Sequence, residues 1–122
     1  MKPDQASRDR LDGLRDELRR FAADRDWNQF HTPKNLAMAL AGEAGEVIEH
    51  FQWLTAEQSA SLDAAARGAV AEELADVLLY LVRLADVLDI DLAEAAARKM
   101  AINAERYPAD KARGRADKYD RL

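Results

Sequence analysis

The sequence predicts an all-α protein, a four-helix-bundle protomer in a single domain. Apolar residues recur at three- and four-residue steps over most of the chain, and no segment shows the alternation of a strand. The 122 residues include only five Gly and three Pro, which favours long helices. A chain of this length fits one domain with a modest core. We therefore expect residues 1–122 to form that domain, with a polar, basic tail over residues 109–122.

The first two helices are predicted from periodicity and from one cap. Leucines three and four residues apart predict a helix from about Ser7 to Asp24. The following loop has aromatic residues without helical or strand period. Thr32 and Pro33 are typical of an N-cap followed by proline in the first turn. The second helix is expected to begin there and to reach about Trp53.

The third helix follows a short capped turn. Thr55 and Gln58 have the spacing of a capping box, which predicts a brief helical turn in the connection. A long helix is then expected from about Asp63 to Leu88. We predict that its apolar stripe is buried; the members are Leu74, Val77, Leu78, Leu81, Leu84 and Leu88.

The fourth helix and the tail complete the chain. Asp91 with Glu94 three residues later predicts an N-terminal cap, and the helix should end near Arg106. The tail carries five cations: Lys111, Arg113, Arg115, Lys118 and Arg121. We expect it to be either a mobile end or an arm that lies on a neighbouring subunit.

Carboxylates occur at helical spacing inside two apolar segments. They are Glu43, Glu46, Glu49, Glu73 and Asp76. Residues three apart lie on one side of a helix, and carboxylates near a core are costly unless they are paired or bound to a cation. Two pairs that face each other would offer four hard oxygen ligands for Mg²⁺, with Mn²⁺ as an alternative. Acids that merely border the apolar stripe of an amphipathic helix are the other interpretation.

Aromatic residues accompany both acidic segments. Tyr80 lies seven residues beyond Glu73, two turns along the same helix. Trp53 likewise lies seven residues beyond Glu46. Rings of this kind line a slot for a flat base or pack in a core or interface. The set is Trp27, Phe30, His31, Trp53 and Tyr80.

Cations on the fourth helix suit a phosphate ligand. Lys99, Asn103 and Arg106 share one face, where they either contact phosphate oxygens or form a solvated helix edge. His50 does not complete a Glu-x-x-His pair, which argues against a di-iron bundle.

Composition excludes several classes of function. The net charge of −5 argues against a nucleic acid polymer as partner, and the absence of cysteine excludes thiolate chemistry. The N-terminus lacks the apolar core of a signal peptide, and the apolar runs are too short to span a membrane. We expect a cytoplasmic protein.

Three stretches resemble a known family. They are WNQFHTPKNLAMALAGEAGEVIEHFQWL from Trp27, EELADVLLYLVRLAD from Glu72, and KMAINAERYP from Lys99. The chain resembles the MazG-like nucleotide pyrophosphohydrolases, and within them the dCTP pyrophosphatases. One departure concerns Leu18, where animal dCTP pyrophosphatases carry a histidine; a second is His50, which replaces an apolar residue.

The resemblance implies an all-α NTP pyrophosphatase fold, assembled as a homodimer or a tetramer of paired dimers. It implies Mg²⁺ ligation by Glu43, Glu46, Glu73 and Asp76. The nucleotide-contacting positions that match are Trp27, Asn28, Gln29, Phe30, His31, Trp53 and Tyr80, and Lys99, Asn103 and Arg106 match a basic stripe beside the triphosphate.

The implied reaction is attack of water on the α–β linkage of a deoxynucleoside triphosphate, dCTP or a modified dCTP, in nucleotide-pool sanitation. A cluster glutamate or Glu49 would be the base. The alternative function is a non-catalytic helical interaction module with an acidic binding face.

Overall fold

The computed structural model describes residues 5–122, apart from the side chain of Ser7. No strand occurs within this range, which confirms the all-α class. The α-helices are α1 (Gln5–Asp24), α2 (Pro33–Glu49), α3 (Ala56–Ser59), α4 (Ala64–Val87), α5 (Leu92–Arg106) and α6 (Ala109–Ala112), and a 3₁₀ turn follows at Tyr119–Arg121.

Side-chain caps start the helices where the sequence predicts them. The Thr32 hydroxyl accepts a hydrogen bond from the Asn35 N–H, and Pro33 occupies the first turn of α2. Thr55 and Gln58 form both bonds of a capping box. Asp63 caps α4 and Asp91 caps α5 in the same manner. Each cap satisfies an N–H that the helix itself leaves without a partner.

The end of α2 differs from the prediction. The helix ends at Glu49, not near Trp53, and residues 50–53 form tight turns. The reason is the capping box that follows, because Thr55 must adopt an extended backbone with φ −72° and ψ 165°. The chain therefore has to leave the helix several residues earlier. Trp53 consequently does not lie on the α2 face that carries Glu46.

The main packing contact joins α2 to α4; α1 packs on α4, and α5 packs on α1. The core contains mostly small side chains: Ala22, Leu36, Val70, Val82, Ala85, Ala93 and Ala97. Small residues let helix axes approach closely, but they cover little surface. No helix among the described residues has the length and apolar character needed to cross a membrane.

The predicted buried stripe of the third helix is wrong for this protomer. Leu74, Leu78, Leu81 and Leu88 leave between 37% and 53% of their surface exposed. The side of α4 that is buried instead carries Val70, Val82, Arg83 and Ala85. Helical periodicity identifies an apolar face, but it does not say whether the same chain covers that face.

The tail folds back in part onto the end of α5. The rings of Tyr107 and Tyr119 meet edge to face with centroids 6.0 Å apart. The Arg106 guanidinium lies 4.8 Å from the centre of the Tyr119 ring. These contacts give the tail an anchor within its own protomer.

Asp86 joins α1 to α4. Its carboxylate accepts two hydrogen bonds from Arg19, through Nε at 2.7 Å and through Nη2. Arg83 Nη1 lies 3.4 Å from the same carboxylate, whose side chain is only 9% exposed. The Arg19 hydrogen bonds hold the pKa of Asp86 below its usual value. Asp86 and Arg83 are therefore nearly buried on α4, and Arg19, whose side chain is 53% exposed, joins them from α1.

We expect Asp86→Ala to lower the free energy of unfolding by about 3 kcal/mol, because it leaves Arg83 buried without its counter-charge. Asp16→Ala is the control, since Asp16 pairs with Arg15 and Arg19 at the surface and should contribute about 1 kcal/mol or less. Urea unfolding at pH 7 measures both. Equal losses in the two variants would contradict the assignment of Asp86 as the helix-joining residue.

Candidate active site

Three carboxylates from two helices converge into one cluster. Glu43 comes from α2, and Glu73 and Asp76 come from successive turns of α4. One oxygen of each lies within 4.8 Å of the others. Glu46, one turn beyond Glu43, lies within hydrogen-bonding reach of both Glu43 and Glu73. The packing of α2 on α4 thus brings together the two acidic pairs that the sequence places far apart.

Two oxygens of this cluster have no partner. Oε2 of Glu43 and Oε2 of Glu73 are buried, and neither accepts a hydrogen bond from any of the described residues, 5–122. Burial, followed by a hydrogen bond and repulsion from Glu46, raises the pKa of Glu43 to about 7. The pKa of Glu73 is also raised, first by its hydrogen bond with Glu46 and then by burial.

A divalent cation fits this arrangement. Unpartnered buried carboxylate oxygens are costly, and like charges at this separation repel one another. All donors in the cluster are carboxylate oxygens, the ligand type preferred by Mg²⁺ and Mn²⁺. A bound cation would satisfy both buried oxygens and relieve the repulsion.

Two further residues of the acidic segment have separate positions. Glu49 is exposed at the end of α2 and takes no part in the cluster formed by the described residues. His50 caps the same end, and its Nε2 lies 3.9 Å from Oε1 of Glu73. His50 therefore borders the cluster and pairs with it only when the imidazole is protonated.

A largely apolar cavity of about 220 Å³ adjoins the cluster. Its walls come from α1, from the loop before α2, and from α4. The lining residues are Leu18, Phe21, Trp27, His31, Asp76, Leu79, Tyr80 and Arg83. Asp76 belongs both to this cavity and to the carboxylate cluster, so a ligand in the cavity would lie beside a bound cation.

The structure brings some of the predicted nucleotide-binding residues to this cavity. Trp27, His31 and Tyr80 line it, and the Trp27 ring meets Phe21 edge to face at 5.6 Å. Asn28 does not line the cavity, but its Oδ1 accepts a hydrogen bond from Arg83, which does. Their aromatic and polar atoms suit a flat heterocycle.

Other predicted residues lie elsewhere in the protomer. Gln29 donates to the backbone and the side chain of Asp26, and the Phe30 side chain is exposed. Trp53 is 86% exposed. None of these lines the cavity, nor do the residues of the α5 stripe, which are Lys99, Asn103 and Arg106. Their contact with a nucleotide stays a prediction.

Sequence reasoning missed Arg83. This residue is only 8% exposed and reaches the cavity from α4. Its role could have been predicted from the sequence, because an arginine within the apolar run from Val77 to Val87 must either find partners or leave the core. No feature of the sequence distinguishes Leu18 and Leu79, which also line the cavity, from other leucines.

The raised pKa of Glu43 predicts how stability depends on pH in the metal-free protein. Its folded-state pKa of about 7 exceeds the ordinary value of 4.5, so the folded protein holds the proton more tightly than the unfolded chain. Stability should therefore fall as pH rises from about 4.5 through 7. In EDTA, Glu43→Gln should melt later than the wild type at pH 8, and the gap should close at pH 5.

Glu72→Gln is the control, because Glu72 is exposed on the same α4 turn. Thermal melts at both pH values measure the effect. An unchanged melting temperature for Glu43→Gln at pH 8 would contradict the crowded-cluster interpretation.

Comparisons with known proteins identify the family of this chain. The sequence pattern of the MazG-like family matches residues 39–122. Human dCTP pyrophosphatase 1 is 47% identical over 114 residues, which cover 92% of this chain and 67% of that protein. The mouse protein of the same name is 46% identical over the same length.

A solved structure shares the fold. The crystal structure of a pyrophosphatase from Archaeoglobus fulgidus DSM 4304 superposes with a TM-score of 0.76 at 42% identity, over 81% of this chain and 93% of that one. The chain belongs to the MazG-like family and is a nucleotide pyrophosphohydrolase.

Proposed function

We propose that this protein hydrolyses the α–β phosphate linkage of dCTP, or of a 5-modified dCTP, to the monophosphate and pyrophosphate with the help of Mg²⁺. The observation that carries the proposal is the pair of buried, unpartnered carboxylate oxygens in a cluster beside an aromatic cavity. Asp76 belongs both to that cluster and to the cavity. The dCTP pyrophosphatases among the relatives support the choice of base.

Glu43, Glu46, Glu73 and Asp76 would hold the cation. When bound, it neutralises charge on the triphosphate and lowers the pKa of a water molecule. The carboxylates would hold the cation at the edge of the cavity, where it would bind the phosphates while the base entered the cavity. Holding the reactants in this way supplies much of the rate acceleration in phosphoryl chemistry.

A glutamate would accept the proton of the attacking water. Glu46, as a cation ligand turned toward that water, is favoured over Glu49, because it comes within reach of both Glu43 and Glu73. Glu49 has no contact with the cluster.

The cavity would hold the base between aromatic rings. Trp27 and Tyr80 offer flat faces for stacking, and Leu18 closes the wall where animal dCTP pyrophosphatases carry a histidine. The preference among cytosine, 5-modified cytosine and other bases therefore depends on this wall.

The interaction-module alternative fits the geometry less well. An acidic face for a basic partner would keep its carboxylate oxygens in water, whereas two of them here are buried. The two functions differ in the effect of EDTA: removal of the metal should stop pyrophosphate release but should not affect binding of a basic partner.

We expect Glu46→Gln and Asp76→Asn each to lower dCTP turnover by at least about 100-fold, because loss of a metal-site carboxylate removes both charge and position. Both variants should stay folded, since removing a charge relieves repulsion. Pyrophosphate release with Mg²⁺ measures turnover, and EDTA should abolish it in the wild type.

Glu72→Gln provides the matched control and should keep full activity, because Glu72 is exposed and lies outside the cluster. A screen of the common nucleoside triphosphates reports the preferred base in the same assay. Near wild-type turnover by either cluster variant would refute the site.

We further propose that the protein is a homo-oligomer joined through the outer faces of α2 and α4. Those faces expose Met38 and Ile48 on α2 and the leucine stripe on α4. Gly42 and Gly45 add to the argument, because each costs a helix interior about 1 kcal/mol relative to alanine. Among residues 5–122, no atom lies within 4 Å of where a Cβ would stand at either position. A neighbouring helix or a bound nucleotide would use that space.

Light scattering at micromolar concentration should give at least twice the 13.6 kDa mass of one chain. Leu74→Glu should shift the protein toward monomer, because it places a charge on the exposed apolar face of α4. Met100→Glu, a comparable change at an exposed residue of α5, should leave the mass unchanged. A monomeric wild type would contradict the proposal.

A further inference from the structure

Arg83 contacts three acceptors beside the cavity. Its Nη2 donates to Oδ1 of Asn28 at 2.8 Å, and its Nη1 lies 3.4 Å from Oδ2 of Asp86. Its Nε donates to Nδ1 of His31 at 3.0 Å. Asp86 is in turn held by Arg19, so the guanidinium is fixed from two sides and has little freedom to turn.

This contact decides where His31 carries its proton. A guanidinium has only donors and stays protonated, so Nδ1 of His31 must offer a lone pair. A neutral imidazole then carries its proton on Nε2. An imidazolium would point an N–H of its own at the Nε–H of Arg83. Burial and the positive charge of Arg83 lower the pKa of His31, which agrees with a neutral ring.

Nε2 is the polar atom of His31 that remains for a ligand. None of the hydrogen bonds within the described residues uses it, and His31 lines the cavity. The nearby walls are apolar or aromatic, apart from Asp76, Tyr80 and Arg83. In such a setting, a donor without a protein partner discriminates strongly between ligands. A ligand that brings no acceptor leaves the N–H unpaired.

We propose that Arg83 is a positioning residue that keeps His31 in the Nε2–H tautomer, so that His31 donates a hydrogen bond to an acceptor on the edge of the bound base. The inference rests on the proposed function for the identity of that base. Cytosine presents two adjacent acceptors, O2 and unprotonated N3, and so matches a fixed donor. Arg83 itself need not touch the substrate.

The tautomer can be read directly by NMR, without turnover. The chain has only two histidines, and His50→Gln assigns the spectrum. In a long-range ¹H–¹⁵N spectrum of the ¹⁵N-labelled wild type at pH 7.5, His31 should show a protonated Nε2 and a bare Nδ1. Arg83→Met should release this preference and give a mixture of tautomers. A wild-type His31 protonated on Nδ1, or on both nitrogens, would overturn the proposal.

Two substitutions of His31 test the donor even if Arg83→Met does not fold. Glutamine places an amide nitrogen near the position of Nε2, whereas asparagine places its polar atoms near Nδ1. His31→Asn should raise the KM for dCTP about tenfold, the equivalent of one lost hydrogen bond, with little change in kcat. His31→Gln should recover most of the binding that His31→Asn loses, because its amide nitrogen can still donate. If His31 only held Arg83 in place, the two variants would be affected in the reverse order. Asparagine, with polar atoms near Nδ1, would then raise the KM less than glutamine does.

The outcomes separate this inference from the proposed function. If the wild type does not hydrolyse dCTP, the proposed function fails. Titration with dCMP and Mg²⁺ still tests whether Nε2 of His31 donates a hydrogen bond to the base. A shift of the His31 Nε2 resonance on adding dCMP supports the inference, and an unmoved resonance at saturating dCMP refutes it. If dCTP is hydrolysed but His31→Asn binds it normally, only the inference fails.

Discussion

Asp86 is the ionic contact on which the candidate site depends. Its carboxylate binds Arg19 of α1 and lies against Arg83 of α4, and Arg83 reaches on to Asn28 and His31 in the loop before α2. The three segments joined in this way are the ones that wall the cavity. Because a nearly buried carboxylate must keep its partners, the cavity shape and the orientation of His31 follow from the same electrostatic requirement.

The carboxylate cluster has the opposite character. Whereas Asp86 is stabilised by cations, Glu43 and Glu73 face other acids and hold oxygens without partners. Raised pKa values are the expected result, because the charged forms are disfavoured by burial and by repulsion. Such an arrangement lowers the stability of the metal-free protein and favours a divalent cation. Perturbed carboxylates beside a cavity are also what a hydrolytic site requires.

The protomer covers its own apolar surface incompletely. Its core consists mainly of alanine and valine, while three leucines of α4 and two apolar residues of α2, Met38 and Ile48, are exposed. This exposed face is the one through which we propose that a second copy packs on α2 and α4. Trp53 and the α5 cations lie outside the cavity of their own chain, so any role in binding a nucleotide depends on that assembly.

The sequence by itself determined the local features of this protein. Helix starts followed from Thr32, Thr55, Asp63 and Asp91, because capping depends on residues within one turn. The acidic pairs were also readable from their spacing. Tertiary structure decided the rest: which acids converge, which side of α4 is buried, and that Arg83 orients His31. These depend on contacts between residues far apart in the chain, 52 positions in the case of Arg83 and His31, and no local pattern records such a contact.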